Sequence, residues 1–223
     1  MREWNQAAVS VALVASVAFA CGGPENKVVD QYFSALRQQD DQTLSSFAAV
    51  KFDKKVEKWS VAEATAEERQ PAPLGQLLSR FQEAERALDE NKKAYRAYFL
   101  QYPTEVDRIQ EALKKGAPIP ASLKVHGDKW REFLDKEKEL KKTVAESKAA
   151  LDKEKRLVQL SVGQLDDVES LTGEVLTKRV SLNLTIGGQA QRHEMVLRKY
   201  DVQGAQGNKM MSRWIVFELQ PKS

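Results

Sequence analysis

From Leu74 to Leu113, apolar and aromatic side chains return at alternating steps of three and four residues. The first run is Leu74, Leu77, Phe81, Ala84, Leu88, Asn91, Tyr95, Tyr98, Tyr102, Val106, Ile109 and Leu113. The beat resumes in Trp130, Phe133, Glu137, Leu140, Val144, Ser147, Leu151, Glu154 and Val158. A seven-residue repeat puts one stripe on one side of a helix, and that stripe needs a facing helix to leave water. Gly116, Pro118 and Pro120 separate the runs. The pattern therefore predicts an antiparallel coiled-coil hairpin over residues 74–158. Straight arms would reach roughly 50–60 Å at ~1.5 Å per residue. Pro103 should kink or break the first arm near Tyr102, because it lacks an N–H and crowds the preceding turn. On the second arm, Glu132/Lys136, Glu137/Lys141 and Asp152/Arg156 stand at the favourable i,i+4 spacing.

The flanks have other periods. Val28, Val29, Tyr32, Phe33 and Leu36 give a helix with one apolar face, with Asn26 as its expected N-cap. Asp40-Asp41 caps a second short helix carrying Leu44, Phe47 and Ala48. Residues 63–70 read as a further helical stretch, ended by Pro71 and Pro73. After Gly163 the period becomes two. Leu176, Lys178, Val180, Leu182, Leu184 and Ile186 share one side, Gly187-Gly188 signals a hairpin turn, and strands follow at about 191–200 and 213–219. Residues 168–175 are a candidate extra strand, for a sheet of three or four. The expected class is α+β: N-terminal helices packed on a C-terminal antiparallel sheet, with the hairpin inserted between them. The chain divides into a leader (1–20), a tether (21–25), a discontinuous body (26–73 and 159–223) and the hairpin (74–158). Two separate cores are expected, so replacing residues 74–158 by a short Gly/Ser linker should leave a folded body.

The first twenty residues differ from everything after them. Ala7 to Ala20 is apolar and uncharged, behind a short polar start with Arg2 and Glu3. As a helix this stretch would rise roughly 21 Å, short of a hydrocarbon core of about 30 Å, so it reads as a signal-peptide core. The only cysteine of the chain, Cys21, follows directly. Ala18-Phe19-Ala20-Cys21-Gly22 resembles the lipobox of bacterial lipoproteins, with Ala18 where leucine is commonest and Phe19 next. The resemblance implies a diacylglycerol thioether and fatty acyl groups such as palmitate on Cys21, which becomes residue one. Ala18-Phe19-Ala20 also fits an ordinary A-x-A cleavage site, leaving a soluble secreted protein with a free thiol. An unpaired cysteine has no obvious use in an oxidising compartment, which favours the lipid anchor. Gly22 in place of aspartate implies the periplasmic face of the outer membrane, if the host has two membranes.

Val28-Val29-Asp30-Gln31-Tyr32-Phe33-Ser34-Ala35-Leu36, then Asp40-Asp41-Gln42-Thr43-Leu44, resembles the opening helices of nuclear-transport-factor-2-like domains (the cystatin-like cone). Residues 180–186, 191–200 and Trp214-Ile215-Val216-Phe217 resemble their closing strands. The resemblance implies helices over a strongly curved sheet. The hairpin is a departure from that pattern. Some members are isomerases or dehydratases that use carboxylates and histidines inside the cone.

Only two histidines could serve such chemistry. His126 falls in the hairpin turn region beside Gly127, and His193 alternates with Met195 and Leu197 on a strand. Lone histidines in these settings read as packing or surface groups, as Tyr32 and Asp30 read as a core ring and a surface charge. His193-Glu194 lacks the second histidine of HExxH, no cysteine cluster matches a zinc site, and Gly204 and Gly207 lack the lysine context of a phosphate loop. No catalytic residue, metal or cofactor is assigned. Tyr95, Tyr98, Phe99 and Tyr102 cover more than one face of a helix; they are the candidate partner surface, or else they pack at the kink against Trp130 and Phe133.

With 35 basic and 32 acidic side chains the net charge is +3, without the concentrated basic stripe that nucleic acid requires. Residues 74–158 hold 19 basic and 15 acidic side chains, so the excess sits on the hairpin. The expected protein is a lipid-anchored, non-enzymatic envelope domain that binds or scaffolds another envelope protein through its hairpin. The alternatives are a small-ligand-binding or enzymatic cone and a periplasmic chaperone-like clamp. A deep polar pocket would favour the cone, and an apolar filling the first reading.

Overall fold

Pro24 sets the start of the first helix, its fixed φ suiting a first helical position. A computed structural model describes residues 23–222 of the chain. The leader, Cys21 and the start of the tether lie outside these described residues. Helix α1 spans Pro24–Gln38 with Gly23 as N-cap, so the expected cap at Asn26 is corrected: Asn26 already lies in the first turn. Helix α2 spans Asp41–Phe47 and is capped as expected, the Thr43 N–H donating to Asp40 Oδ1 at 2.9 Å.

Residues 63–70 are not helical. Strands β1 (Lys58–Ala64) and β2 (Glu68–Pro71) run there, both antiparallel to β3 (Thr172–Ile186). An isolated eight-residue helix is marginal, whereas a ladder on an existing strand satisfies the backbone at once. Strand β3 continues into β4 (Gln189–Gln203) through the expected Gly187-Gly188 turn, and β5 (Ile215–Pro221) pairs with β4. The sheet thus has five strands in the order β1-β3-β4-β5, with β2 also on β3, instead of three or four. Residues 168–170 form a 3-10 turn and add no separate strand. The α+β class holds.

The pairing of β3 with β4 is unbroken from Thr172↔Gln203 to Ile186↔Gln189, so side-chain parity assigns faces directly. Val180, Leu182 and Leu184 of β3, with Met195 and Leu197 on the same face of β4, meet Val29, Tyr32, Phe33, Leu44 and Phe47 of α1 and α2 in a first core. Val175, Tyr200 and Val202 have the other parity and lie on the opposite face. They pack with Ile215, Leu74, Leu151, Leu157 and Val158 in a second core. The sheet therefore buries one face at one end and the other face at the other.

Helix α3 spans Leu74–Gln101, α4 spans Pro103–Lys114, and α5 spans Lys124–Val162 after a 3-10 turn at Ala121–Leu123. The break falls at Tyr102, as Pro103 requires. Contacts between α3 and α5 run in opposite chain directions: Ala84 lies near Ser147, Asn91 Nδ2 donates to the Phe133 carbonyl at 3.2 Å, and Tyr95 stacks on Trp130. Residues 103–113, however, do not prolong the first arm. Asp107 and Gln110 of α4 share a groove with Tyr95, Arg96 and Phe99, so α4 doubles back beside α3. Val106 and Ile109 are thereby buried against Leu123 and Trp130 in a third, distal core. Among the expected i,i+4 pairs, Glu137–Lys141 forms at 2.7 Å, while Glu132 and Asp152 turn back to Lys129 and Lys148 at 2.7 Å each.

The heptad pattern predicts that Leu74, Leu151 and Val158 are satisfied within residues 74–158. They join Leu157 in the second core instead, packed on the sheet face that α1 and α2 do not cover. No helix among the described residues is long and apolar enough to cross a membrane.

Candidate functional site

Apolar side chains fill the space between α1 and the sheet. Tyr32 is fully buried; its hydroxyl donates to the Val50 carbonyl at 3.1 Å, and burial pushes its pKa up to about 12. Phe33 packs edge-on against Tyr32 and stacks on Trp59, whose indole N–H donates to Asp30 Oδ1 at 2.8 Å. Tyr32 and Asp30 thus have structural roles.

His193 lies under the same helices. It stands opposite Leu182, is 1% exposed, and meets the Phe52 ring edge-on at 5.4 Å. Neither ring nitrogen has a hydrogen-bond partner among the described residues. Burial pushes its pKa down against the opposing pull of the nearby Gln191 backbone, and neighbouring Lys54 adds to the lowering. A general base needs an acceptor nitrogen within reach of substrate, and Phe52 covers this one. Outside Phe52 opens a cleft of about 540 Å³ whose lining includes Leu36, Arg37, Phe52, Lys54 and Val56. The described residues contain no group of three or more His, Cys, Asp or Glu placed to hold a metal ion.

The aromatic quartet lies at the distal end of the arm, and all four rings are half-buried. Tyr95 lies 4.6 Å from Trp130, and Tyr98 lies 5.0 Å from Tyr102 and 5.6 Å from Phe133. Tyr98 Oη and His126 Nδ1 share a hydrogen bond of 2.8 Å, and Tyr102 packs on the same imidazole. His126 is therefore a helical residue of α5 with an assigned partner. The quartet's inner sides pack against the distal core, while Tyr95 and Phe99 also face outward with Leu100 into a groove of about 350 Å³ edged by Arg96, Asp107 and Gln110. Leu100 is 78% exposed. Packing and surface are not exclusive here, because a ring at a helix bend has two usable faces.

One polar cluster has no counterpart in the sequence reading. Where α5 crosses the sheet, the buried Tyr200 hydroxyl donates to Glu154 Oε1 at 2.7 Å. Burial and the adjacent carboxylate push the Tyr200 pKa up. Ser161 Oγ accepts from the Tyr200 N–H at 3.1 Å and donates to the Arg213 carbonyl at 2.8 Å. The Arg213 guanidinium donates to the Leu160 and Ser46 carbonyls, at 3.0 and 2.7 Å. One cluster thus locks α5, β4, α2 and the approach to β5 together. Its signal in the sequence was Glu154 itself, a carboxylate at a heptad core position where an unpaired charge is costly. Comparison with protein-family models, with curated proteins and with solved structures finds no match for this chain.

Proposed function

We propose that the protein is a lipid-anchored cell-envelope protein that acts without catalysis, binding or scaffolding a partner through its helical arm. The observation that carries this reading is the contrast between the two ends of the molecule. The cone is filled with apolar side chains, while the distal end has its own core and an outward groove with Leu100 standing in solvent. A two-helix arm stabilised at its far end by a separate core is a means of holding a surface away from the body. On this reading residues 74–158 are an antiparallel coiled-coil hairpin inserted in an α+β body. The body is a nuclear-transport-factor-2-like cone: two helices, two short strands, then three strands after the inserted helices, with α1 laid along one sheet face, are what support it.

Two measurements test the proposal. Cys21→Ser should abolish incorporation of a fatty-acid analogue; equal labelling of both chains would overturn the anchor. Leu100→Glu should fold normally, since Leu100 is 78% exposed, yet lose a partner that the parent chain captures from envelope extracts. Unchanged capture would overturn the role of the tip. A ligand-binding cone is the second reading, and one observation favours it: His193, without a hydrogen-bond partner among the described residues, packs against Phe52, which lines the cleft.

A further inference from the structure

We infer that residues 209–214 form a second contact with the bilayer, beside the lipid tether. The inference rests on the lipid-anchor reading and names the surface that the anchor would press against the membrane. Gly22 and Gly23 alone lie between Cys21 and Pro24, the first residue of α1, so three Cα–Cα steps join the two. Fully extended they span about 10 Å, so an acylated Cys21 keeps the start of α1 within that distance of the headgroups.

The surface beside that helix start is built by β3 and by the approach to β5. Lys178 Nζ pairs with Glu25 at 3.3 Å and with Glu67 at 3.6 Å, and both Lys178 and Glu25 are largely buried. The same ammonium lies 5.5 Å from the Trp214 ring centroid. Trp214 is therefore tied to the first turn of α1. The segment before it passes from one core to the other: Met210 is packed into the second core and Trp214 against the first. Between them Met211 is 94% exposed, the most exposed large apolar side chain among the described residues. It lies three residues from Trp214, so the chain keeps the two Cα atoms within about 10 Å of each other. Exposed Lys209 lies two residues before Met211, its ammonium 4.0 Å from Asp201. An exposed apolar side chain with a lysine two residues away, a half-buried tryptophan behind it and a lipid tether beside it is the composition of an interfacial contact: the methionine enters the acyl boundary while the Lys209 ammonium stays with the phosphates. An isolated methionine in bulk water would gain nothing from that arrangement.

The test supplies the tether artificially, so that contact and acylation are read separately. A hexahistidine segment replaces residues 1–21, which also removes the sole cysteine. Met211→Cys and, as control, Val125→Cys at the far end of the arm (79% exposed) are each labelled with an environment-sensitive fluorophore. Circular dichroism and cooperative melts check that both variants fold. The chains are bound to vesicles of phosphatidylethanolamine and phosphatidylglycerol doped with a nickel-chelating lipid. The label at 211 should shift its emission to shorter wavelength and be quenched by lipids carrying a spin label near the headgroup. The label at 125 should show neither effect. A label at 211 that stays as in water while the chain is vesicle-bound, or equal changes at both positions, overturns the contact. Absence of fatty-acid labelling at Cys21 in the full-length chain overturns the tether on which it depends.

Discussion

The Tyr200 hydroxyl donates to the Glu154 carboxylate at 2.7 Å across the junction between sheet and arm, and both residues are buried. A charge-assisted bond of this kind is worth more than a neutral one, and removing one partner leaves the other desolvated and unpaired. Tyr200→Phe should therefore cost about 2–4 kcal/mol, combining the lost bond with the stranded carboxylate. Adding Glu154→Gln to that variant should recover part of the loss, because the stranded carboxylate charge is then gone. Urea midpoints of the single and double variants decide this. A Tyr200→Phe midpoint equal to that of the parent would show that the pair contributes nothing.

The length of arm that can be removed follows from the second core. A fully buried Leu or Val side chain is worth about 1.5–3 kcal/mol, and a typical domain has only about 5–15 kcal/mol in total. Replacing residues 74–158 removes Leu74, Leu151, Leu157 and Val158 from the body, along with Glu154. That chain should melt without cooperativity or aggregate. A cut from 85 to 146, made between Ala84 and Ser147 where the helices face each other, keeps these residues. Facing helices lie only ~10 Å apart, so a short Gly/Ser loop closes the gap. It should give a cooperative melt. The reverse result for the two cuts would mean that the arm base is not part of the body.

Gly173 has φ +146°, and a Cβ there would stand 2.2 Å from the Asp201 carbonyl oxygen. The obstacle is backbone of the paired strand and cannot swing aside. Gly173→Ala should lower stability by more than the roughly 1 kcal/mol of an ordinary glycine replacement, and should shift the thermal midpoint down by at least several degrees. Gly75, whose added Cβ would meet nothing within 4 Å, is the control position. Equal midpoints for the two alanine variants would refute the argument.

Stability should fall at both ends of the pH range, for separable reasons. Tyr32 and Tyr200 have raised pKa values in the folded state, so their contribution is complete below about pH 10 and lost as pH rises above it; for Tyr32 the loss extends to about 12. Tyr32→Phe should flatten part of that alkaline loss. His193 has a depressed folded pKa, so its contribution is present above its ordinary value of 6.5 and lost as pH falls below it. His193→Leu should weaken the acid dependence between pH 7 and 5. A His193→Leu chain whose stability falls as steeply as the parent's over that interval would show that the imidazole is not the group being titrated.

Local pattern was enough to read the long helices, the break before Pro103, the cap at Asp40, the β3–β4 hairpin and the α+β class, because each depends on residues a few positions apart. Tyr95, Tyr98, Phe99 and Tyr102 stood out for the same reason, as a dense run on one helix. Long-range pairing was not legible. Nothing near Lys58–Ala64 reveals that it will lie on β3, more than a hundred residues later, and a short mixed segment takes its conformation from the strand that receives it. The heptad likewise reports that Leu74, Leu151 and Val158 need apolar cover without saying whose, since helix and sheet offer the same dry surface. The folding-back of α4, the second sheet face and the Tyr200–Glu154 bond are all choices among such equivalent partners. Topology made those choices by bringing distant segments together, and the hydrophobic effect, being non-directional, could not announce them in the order of the residues.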